Sequence, residues 1–163
     1  MTETNKEKLK FKLELWATYW DKLPVAEILI NDTSHYKAEI TTASKDKPTL
    51  IEFEHTLEEG KEYTLTILRA GKDKHQTVVE DGKIIKDQLL HIKSIEIDEI
   101  DIGSLVYEGV YTPTYPEPWA TQQKTAGVEL PVTFKNVTEM GHNGVWKLKF
   151  SSPFYMWLLE HLY

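Results

Sequence analysis

Aromatic residues are the first feature of this sequence that could do chemistry, by stacking on a ligand. The candidates for ligand binding are Trp16, Tyr19, Trp20, Tyr115 and Trp119. Sugar rings present C–H faces that stack on flat side chains while their polar edges keep hydrogen bonds, so Trp and Tyr on a rigid scaffold suit a saccharide. The same side chains suit a protein interface, where aromatic residues act as anchors. Ordinary packing is the third interpretation, and we favour it for Trp146 and Trp157.

Two aspartates near the middle of the chain could hold a calcium ion. Asp81 lies in a predicted loop, and Asp87 lies at the start of the strand that follows. Their carboxylates, together with loop carbonyls, are the hard oxygen ligands that Ca²⁺ prefers. The simpler interpretation is that Asp81 belongs to a hairpin turn and that Asp87 is an exposed strand start. A second acidic group, Asp98, Glu99 and Asp101, fits a solvated turn, because successive strand residues point to opposite faces.

The motifs of common enzymes are missing from the sequence. It has no G-x-S-x-G, no glycine-rich phosphate loop and no H-E-x-x-H, and with zero cysteines it has no thiolate nucleophile. The six histidines lie far apart in sequence: His35, His55, His75, His91, His142 and His161. We expect them to act separately, and a meeting of two of them in space is the less favoured alternative. We therefore predict a protein that binds a ligand and is not an enzyme.

Composition and charge narrow the choice of partners. The chain has 163 residues, 40% hydrophobic and 28% charged, as expected for one globular domain over residues 1–163. A formal net charge of −7, with lysines interleaved among acids and Arg69 as the single arginine, argues against nucleic-acid binding. No apolar run approaches the roughly 20 residues of a membrane span. Residues 1–8 are predicted to be a flexible polar tail without the apolar core of a signal peptide.

Two-residue periodicity dominates the chain and predicts β-strands as the elements that position these residues. It is clearest at 87–103, where isoleucines and leucines alternate with polar residues and one slip occurs at Lys93-Ser94. Because a slip by one residue would turn all later side chains to the opposite face, we expect a β-bulge or a short corner there. Further strands are predicted at 9–16, 25–30, 36–41, 50–57, 63–67, 106–110, 128–137 and 145–150.

The other predicted elements are turns, one long loop and one helix. Three prolines and three aromatics at 111–119 indicate an extended surface loop. Ser152 and Pro153 suit the start of a C-terminal helix of at most about three turns. About nine short strands without an alternating βα pattern predict an all-β fold, an antiparallel β-sandwich (jelly roll) with a short C-terminal helix. A closed barrel is the main alternative.

The middle of the chain resembles a known class of binding module. Arg69, the acidic loop at 80–82 and then D-Q-L-L-H-I-K-S-I at 87–95 follow one another in the order seen in the closing half of calcium-dependent xylan-binding modules. In those modules acidic loop residues precede a strand of the form D-x-x-x-x-I-x-x-I. The resemblance implies a non-catalytic jelly roll that holds Ca²⁺ through Asp81 and Asp87.

A second similarity extends over more of the chain. The phrases at 86–90 and 95–98 and the ending at 146–155 are similar to small proteins encoded by tailed bacteriophages and described as carbohydrate-binding or virion structural proteins. This similarity implies a virion component, made in the host cytoplasm, that decorates a capsid or tail and touches host-surface glycan.

Two hypotheses from different classes follow. In the first, the chain is a non-catalytic carbohydrate-binding protein whose aromatic residues stack on a glycan, with Ca²⁺ as an additional bridge to hydroxyl groups. In the second, it is a purely structural assembly protein, and the helix at 154–163 docks onto another copy of the chain or onto other virion proteins. A hydrolase is the third and least favoured alternative, because the acidic residues form no distinctive pair.

Overall fold

Two antiparallel β-sheets, packed face to face, make up most of the molecule. The computed structural model describes residues 5–73 and 75–162. The first sheet contains β1 (Lys6–Thr18), β4 (Thr49–Glu58), β8 (Leu89–Ile97), β9 (Ile100–Asp101) and β12 (Glu139–Met140). The second contains β2 (Val25–Ile30), β3 (Thr33–Glu39), β5 (Glu62–Ala70), β10 (Val110–Pro113), β11 (Phe134–Lys135) and β13 (Gly144–Ser151). A separate hairpin consists of β6 (Val78–Glu80) and β7 (Lys83–Lys86), and the helices are α1 (Trp119–Thr125), α2 (Phe154–Leu162) and a 3₁₀ helix at Gly103–Glu108.

The alternation of apolar and polar residues explains how the sheets face each other. Side chains two residues apart on a strand share a face, so one face of each sheet is apolar. The inward side chains of β1 are Leu9, Phe11, Leu13 and Leu15, and those of β13 are Trp146, Leu148 and Phe150. Across the interior, the Phe11 and Phe150 ring centres are 6.1 Å apart. The buried residues of both sheets form one hydrophobic core.

The strand order distinguishes the sandwich from the closed barrel. Strands of the first sheet follow the order β12-β8-β1-β4, and strands of the second follow β11-β10-β13-β5-β2-β3. Among residues 5–73 and 75–162, each sheet therefore ends in two open edges and does not close on itself. The predicted all-β sandwich with a short C-terminal helix is confirmed.

The predicted β-bulge in β8 is also confirmed. Glu14 of β1 pairs with Ser94, and the next residue, Leu15, pairs with Ile92, so that Lys93 is the extra residue. The bulge restores the inward phase of the strand. As a result, the apolar residues on both sides of it are buried: Leu90, Ile92, Ile95 and Ile97.

Two of the predicted strands near the C-terminus are wrong. The predicted strand at 106–110 begins inside the 3₁₀ helix, where the adjacent residues Leu105 and Val106 are both buried. Neighbours on a strand point to opposite faces, so this pattern does not suit a strand. Within 128–137 only Phe134–Lys135 is a strand. The predicted strand at 25–30 has the bounds of β2, and the other strand predictions differ from the observed bounds by a few residues at their ends.

The predicted loop at 111–119 is a loop only at 114–118. Its first three residues belong to β10, where Tyr111 is buried, and Trp119 begins α1. Helix α1 contains no buried residue. It therefore lacks the apolar stripe that would have predicted a helix from the sequence.

Helix α2 begins where the sequence predicts, but its cap comes from another element. The Glu7 carboxylate of β1 accepts hydrogen bonds from the Phe154 backbone N–H at 2.8 Å and from the Ser152 hydroxyl. Because β1 starts at Lys6, the predicted tail at 1–8 is wrong for residues 6–8, and residues 1–4 lie outside the described residues. Neither described α-helix has the length and hydrophobicity that a membrane crossing by a helix requires.

We expect Glu7→Ala to lower the free energy of unfolding by about 1 kcal/mol, the usual contribution of a capping side chain. The substitution leaves the first backbone N–H of α2 without its acceptor. Urea unfolding followed by tryptophan fluorescence measures the change. Glu52→Ala is the matched control, because Glu52 is an exposed acid on the neighbouring strand β4. Equal free energies of unfolding for the two variants would show that the Glu7 cap does not stabilise the fold.

Candidate functional site

A groove lies between the β6–β7 hairpin and the segment that leads into α1. Its volume is about 520 Å³, within the roughly 300–1,000 Å³ of small-molecule sites. Loops from four parts of the chain meet there: the end of β5, the hairpin, the segment at 114–119 and the turn at 141–143. We call it the aromatic groove and define it by Lys72, Thr77, Asp87, Tyr115, Trp119 and His142.

Three flat rings form one wall of the aromatic groove. The Tyr115 ring centre lies 6.0 Å from that of Trp119 and 5.0 Å from that of His142, and the Trp119 and His142 centres are 5.8 Å apart. The Tyr115 hydroxyl donates to the Pro131 carbonyl at 2.5 Å, which fixes its ring. Trp119 is 37% exposed, so a large part of its indole is free to contact a ligand.

The hairpin supplies the opposite, aliphatic wall. Val79 of β6 and Ile84 of β7 line the groove while 56% and 63% exposed. Exposed aliphatic residues that line a concavity are typical of a ligand-binding groove. Trp20 contacts the chain at both ends of the hairpin. Its indole N–H donates to the Gln76 carbonyl at 2.8 Å, and the Lys86 ammonium lies 4.6 Å from the ring centre.

An ion pair forms the floor of the aromatic groove. The Lys72 ammonium donates to Asp87 Oδ1 at 2.7 Å and also to the Gly141 carbonyl. Asp87 Oδ1 accepts two further hydrogen bonds, from the Thr77 hydroxyl at 2.7 Å and from the Gln88 backbone N–H at 2.8 Å. Burial by itself would raise the pKa of Asp87, but these hydrogen bonds outweigh it and hold the pKa below its ordinary value. Asp87 is therefore a carboxylate at neutral pH.

The single arginine holds this floor in place from below. Arg69 is 1% exposed, and its guanidinium donates to Asn143 Oδ1 at 2.9 Å, to the Gln88 carbonyl at 2.7 Å and to the Met140 carbonyl at 3.4 Å. Asn143 also accepts from the Lys72 backbone N–H at 3.0 Å and donates to the Lys72 carbonyl at 2.8 Å. Burial lowers the pKa of Arg69 to about 10, so the side chain still carries its charge at neutral pH.

A buried tyrosine positions the histidine of the aromatic wall. The Tyr111 hydroxyl donates to the His142 carbonyl and accepts from the His142 backbone N–H at 2.9 Å. Burial raises the pKa of Tyr111 to about 12, so the hydroxyl keeps its proton. Burial also lowers the pKa of the His142 imidazole below its ordinary 6.5. Above pH 6.5 the groove therefore contains a neutral imidazole ring.

Two of the five predicted ligand-binding aromatics, Tyr115 and Trp119, line the groove, and the other three do not. Trp20 anchors the hairpin, as described above. Trp16 lies on the outer face of the first sheet and stacks on His91, with 3.8 Å between ring centres. Tyr19 donates its hydroxyl to the Thr41 carbonyl at 3.1 Å. Trp146 and Trp157 are buried in the core, as predicted.

The predicted calcium ligands, Asp81 and Asp87, do not come together. Asp81 occupies the turn between β6 and β7 with a φ of +51°, whereas Asp87 follows the far end of β7. A four-residue strand, about 13 Å long, separates them. Among residues 5–73 and 75–162, no three acidic or histidine side chains are arranged to hold a metal ion. The hairpin turn at Asp81 is confirmed, and calcium binding stays a prediction.

Sequence reasoning missed several polar residues of the site, among them Lys72, His142 and Asn143. They lie in turns after β5 and before β13. Because these turns are far apart in sequence, the sequence gives no sign that they meet in the fold. One signal was available. The turn Met140-Gly141-His142-Asn143-Gly144 places two polar side chains among small residues directly before a strand, and such loops often carry binding residues.

Two histidines expected to lie apart meet at one side of the sandwich. His35 of β3 and His55 of β4 are linked by a hydrogen bond of 2.9 Å between Nε2 and Nδ1. The strands that carry them are edge strands of different sheets, and the His35 ring stacks on Phe53. Burial lowers the pKa of both imidazoles, which favours the neutral form that the accepting ring of an N–H···N hydrogen bond requires.

A second depression, of about 490 Å³, lies on the outer face of the first sheet. Long charged side chains line it: Lys10, Lys12, Glu52, Glu54, Glu96 and Glu99. Several of these charges pair with one another or with neighbours, as Lys12 does with Glu96 at 4.0 Å. This surface has the properties of a solvated sheet face, and we place the candidate site in the aromatic groove.

Comparison with known proteins adds no family to this description. No protein-family model, no curated protein and no solved structure matches the chain. The resemblances to xylan-binding modules and to phage-encoded proteins therefore stay predictions, and the function is inferred from the aromatic groove.

Proposed function

We propose that the chain is a non-catalytic glycan-binding protein and that the aromatic groove holds the sugar. The observation that carries this proposal is the combination of an aromatic wall, in which the Tyr115 and Trp119 ring centres are 6.0 Å apart, with a polar floor at Lys72 and Asp87. Saccharides need both features, because the C–H face of the ring stacks on an aromatic plane while the hydroxyl groups require donors and acceptors.

The fixed geometry of the groove supports binding. Hydrogen bonds from Arg69, Asn143 and Tyr111 hold the floor and the wall before any ligand arrives. A preformed site loses less conformational entropy on binding than a flexible one. The resemblance of the chain to phage-encoded proteins supports a virion as the location and host-surface glycan as the target.

Affinity electrophoresis of the full chain in gels that contain soluble polysaccharides tests the proposal. We expect at least one polysaccharide to retard the native protein relative to bovine serum albumin. Parallel gels with calcium and with EDTA test the calcium prediction separately. Unchanged mobility with every polysaccharide, with and without calcium, would contradict glycan binding.

One observation favours the alternative of a structural assembly protein. Three side chains of α2 are apolar and exposed: Tyr155 is 46%, Met156 59% and Leu159 57% exposed. Another copy of the chain or another virion subunit would cover them on assembly. The opposite side of α2 belongs to the core, where Phe154, Trp157 and Leu158 are buried. Deleting the helix would therefore damage the fold, and substitutions give the cleaner test.

For the assembly alternative, light scattering of the native chain should give a multiple of 18.9 kDa, and Met156→Ser/Leu159→Ser should return the mass to 18.9 kDa. Both substituted residues point to solvent, so the fold should persist. A native chain that stays at 18.9 kDa at all concentrations would count against self-assembly.

A further inference from the structure

The charged side chains that line the aromatic groove are paired with opposite charges. Asp87 meets Lys72 at 2.7 Å on the floor, and Asp73, at the rim, meets Lys22 at 2.6 Å. The remaining titratable ring, His142, is neutral above pH 6.5 because burial lowers its pKa. Among the described residues that line the groove, every charged side chain thus has a partner of opposite charge.

This pairing is unsuited to an acidic sugar. A carboxylate ligand is usually held by an arginine fork or a free ammonium group. Arg69, the single arginine, is buried beneath the floor and already donates to three acceptors. Lys72 is neutralised by Asp87, and Lys22 at the rim is neutralised by Asp73. A uronate or sialate would therefore be separated from water without a counter-charge.

The same ion pair has hydrogen-bonding capacity that suits hydroxyl groups. An ammonium group has three donors, and Lys72 uses two of them, toward Asp87 and Gly141. Asp87 Oδ2 accepts no hydrogen bond from residues 5–73 or 75–162, whereas Oδ1 accepts three. One free donor therefore lies beside one free acceptor on the groove floor. A hydroxyl group both donates and accepts, so two neighbouring hydroxyls would satisfy both atoms.

We infer that the ligand of the aromatic groove is an uncharged saccharide, with neighbouring hydroxyl groups bound by Asp87 Oδ2 and Lys72 Nζ. The inference rests on the proposed function and adds the ligand class to it. Trp119 stacks on the apolar face of the sugar ring, and the ion pair selects its polar edge.

The test compares neutral with acidic polysaccharides at one pH above 6.5. Affinity gels of the full chain contain hydroxyethyl cellulose, glucomannan, arabinoxylan or dextran as neutral polymers, and polygalacturonate or alginate as acidic ones. We expect retardation by at least one neutral polymer, insensitive to added sodium chloride, and none by the acidic polymers. Salt-sensitive retardation by an acidic polymer alone would overturn the inference while leaving glycan binding intact. Retardation by no polymer would overturn both.

Charge variants give a second readout that a merely structural role would not produce. Asp87→Asn leaves the Lys72 charge unpaired. It should weaken binding of neutral polysaccharides at least tenfold, and it should also introduce salt-sensitive binding of polygalacturonate. Asp73→Asn should keep the fold. The Asp73 carboxylate accepts a hydrogen bond from the His75 backbone N–H at 2.8 Å, and the amide oxygen of an asparagine can accept the same bond. It frees Lys22 at the rim and should add salt-sensitive binding of polygalacturonate. If neither variant gains acidic-polymer binding, charge pairing does not set the selectivity.

Discussion

Trp119→Ala is expected to weaken glycan binding by about 2 kcal/mol, roughly a thirtyfold loss of affinity. The indole is 37% exposed and forms one wall of the aromatic groove beside Tyr115 and His142. Removing it takes away the plane on which a sugar ring stacks. The loss should appear in binding and not in stability, because α1 contains no buried residue.

Quantitative affinity electrophoresis measures this loss, and circular dichroism checks that the fold persists. Tyr107→Ala is the matched control, since Tyr107 is an aromatic residue that is 45% exposed and does not line the groove. Tyr19→Ala extends the control to a residue that the sequence predicted as a ligand contact. Equal binding by Trp119→Ala and the native chain would remove the groove from the account. If Tyr19→Ala alone lost glycan binding, the binding site would lie near Tyr19 and not in the aromatic groove.

Arg69→Ala should lower the free energy of unfolding by about 3–5 kcal/mol. The side chain is 1% exposed, so its removal leaves a cavity. It also leaves the carbonyls of Met140 and Gln88 and the amide oxygen of Asn143 without the guanidinium donor. Buried acceptors that lose their donor are costly because no water replaces the hydrogen bond.

Urea unfolding measures the effect, with Lys149→Ala as the control from the exposed face of β13. Arg69→Lys should fall between the two, because an ammonium keeps the charge but cannot span three acceptors as the planar fork does. Any folded Arg69 variant should also bind glycan less well, since Arg69 fixes the backbone next to Lys72 and Asp87. A stability of Arg69→Ala within 1 kcal/mol of the Lys149→Ala control, as roughly expected for a surface change, would contradict this role.

The scaffold was largely predictable from the sequence because its rules are local. Alternation at Leu9, Phe11, Leu13 and Leu15 predicts β1, and the single slip at Lys93-Ser94 predicts a bulge that the pairing register confirms. The start of α2 after Ser152-Pro153 follows from local preferences in the same way. What failed was also local in origin: a strand was predicted from Val106 onward, although Val106 is buried beside Leu105 in a 3₁₀ helix.

The site was predictable only in part because it is made of distant residues. Trp119 and Tyr115 were recognisable as candidate ligand-binding aromatics, and Asp87 as a candidate binding acid, although its observed partner is Lys72 and not Asp81. Nothing in the spacing along the chain shows that Lys72, Asp87 and Asn143 meet. Their meeting depends on sheet order, which pairs β5 with β13 and brings the following and preceding turns together. The same applies to the His35–His55 contact between two sheet edges.

Tryptophan indole N–H signals in a ¹H–¹⁵N NMR titration show directly whether a saccharide binds in the aromatic groove. The chain has five tryptophans, and of these only Trp119 lines the aromatic groove. Titration with oligosaccharides cut from each neutral polysaccharide should shift the Trp119 indole signal most, with the backbone signals of Gly141 and Asn143 moving alongside it. The indoles of Trp16, Trp146 and Trp157 should stay in place. Shifts concentrated at Trp16, or no shift with any saccharide, would contradict saccharide binding in the aromatic groove.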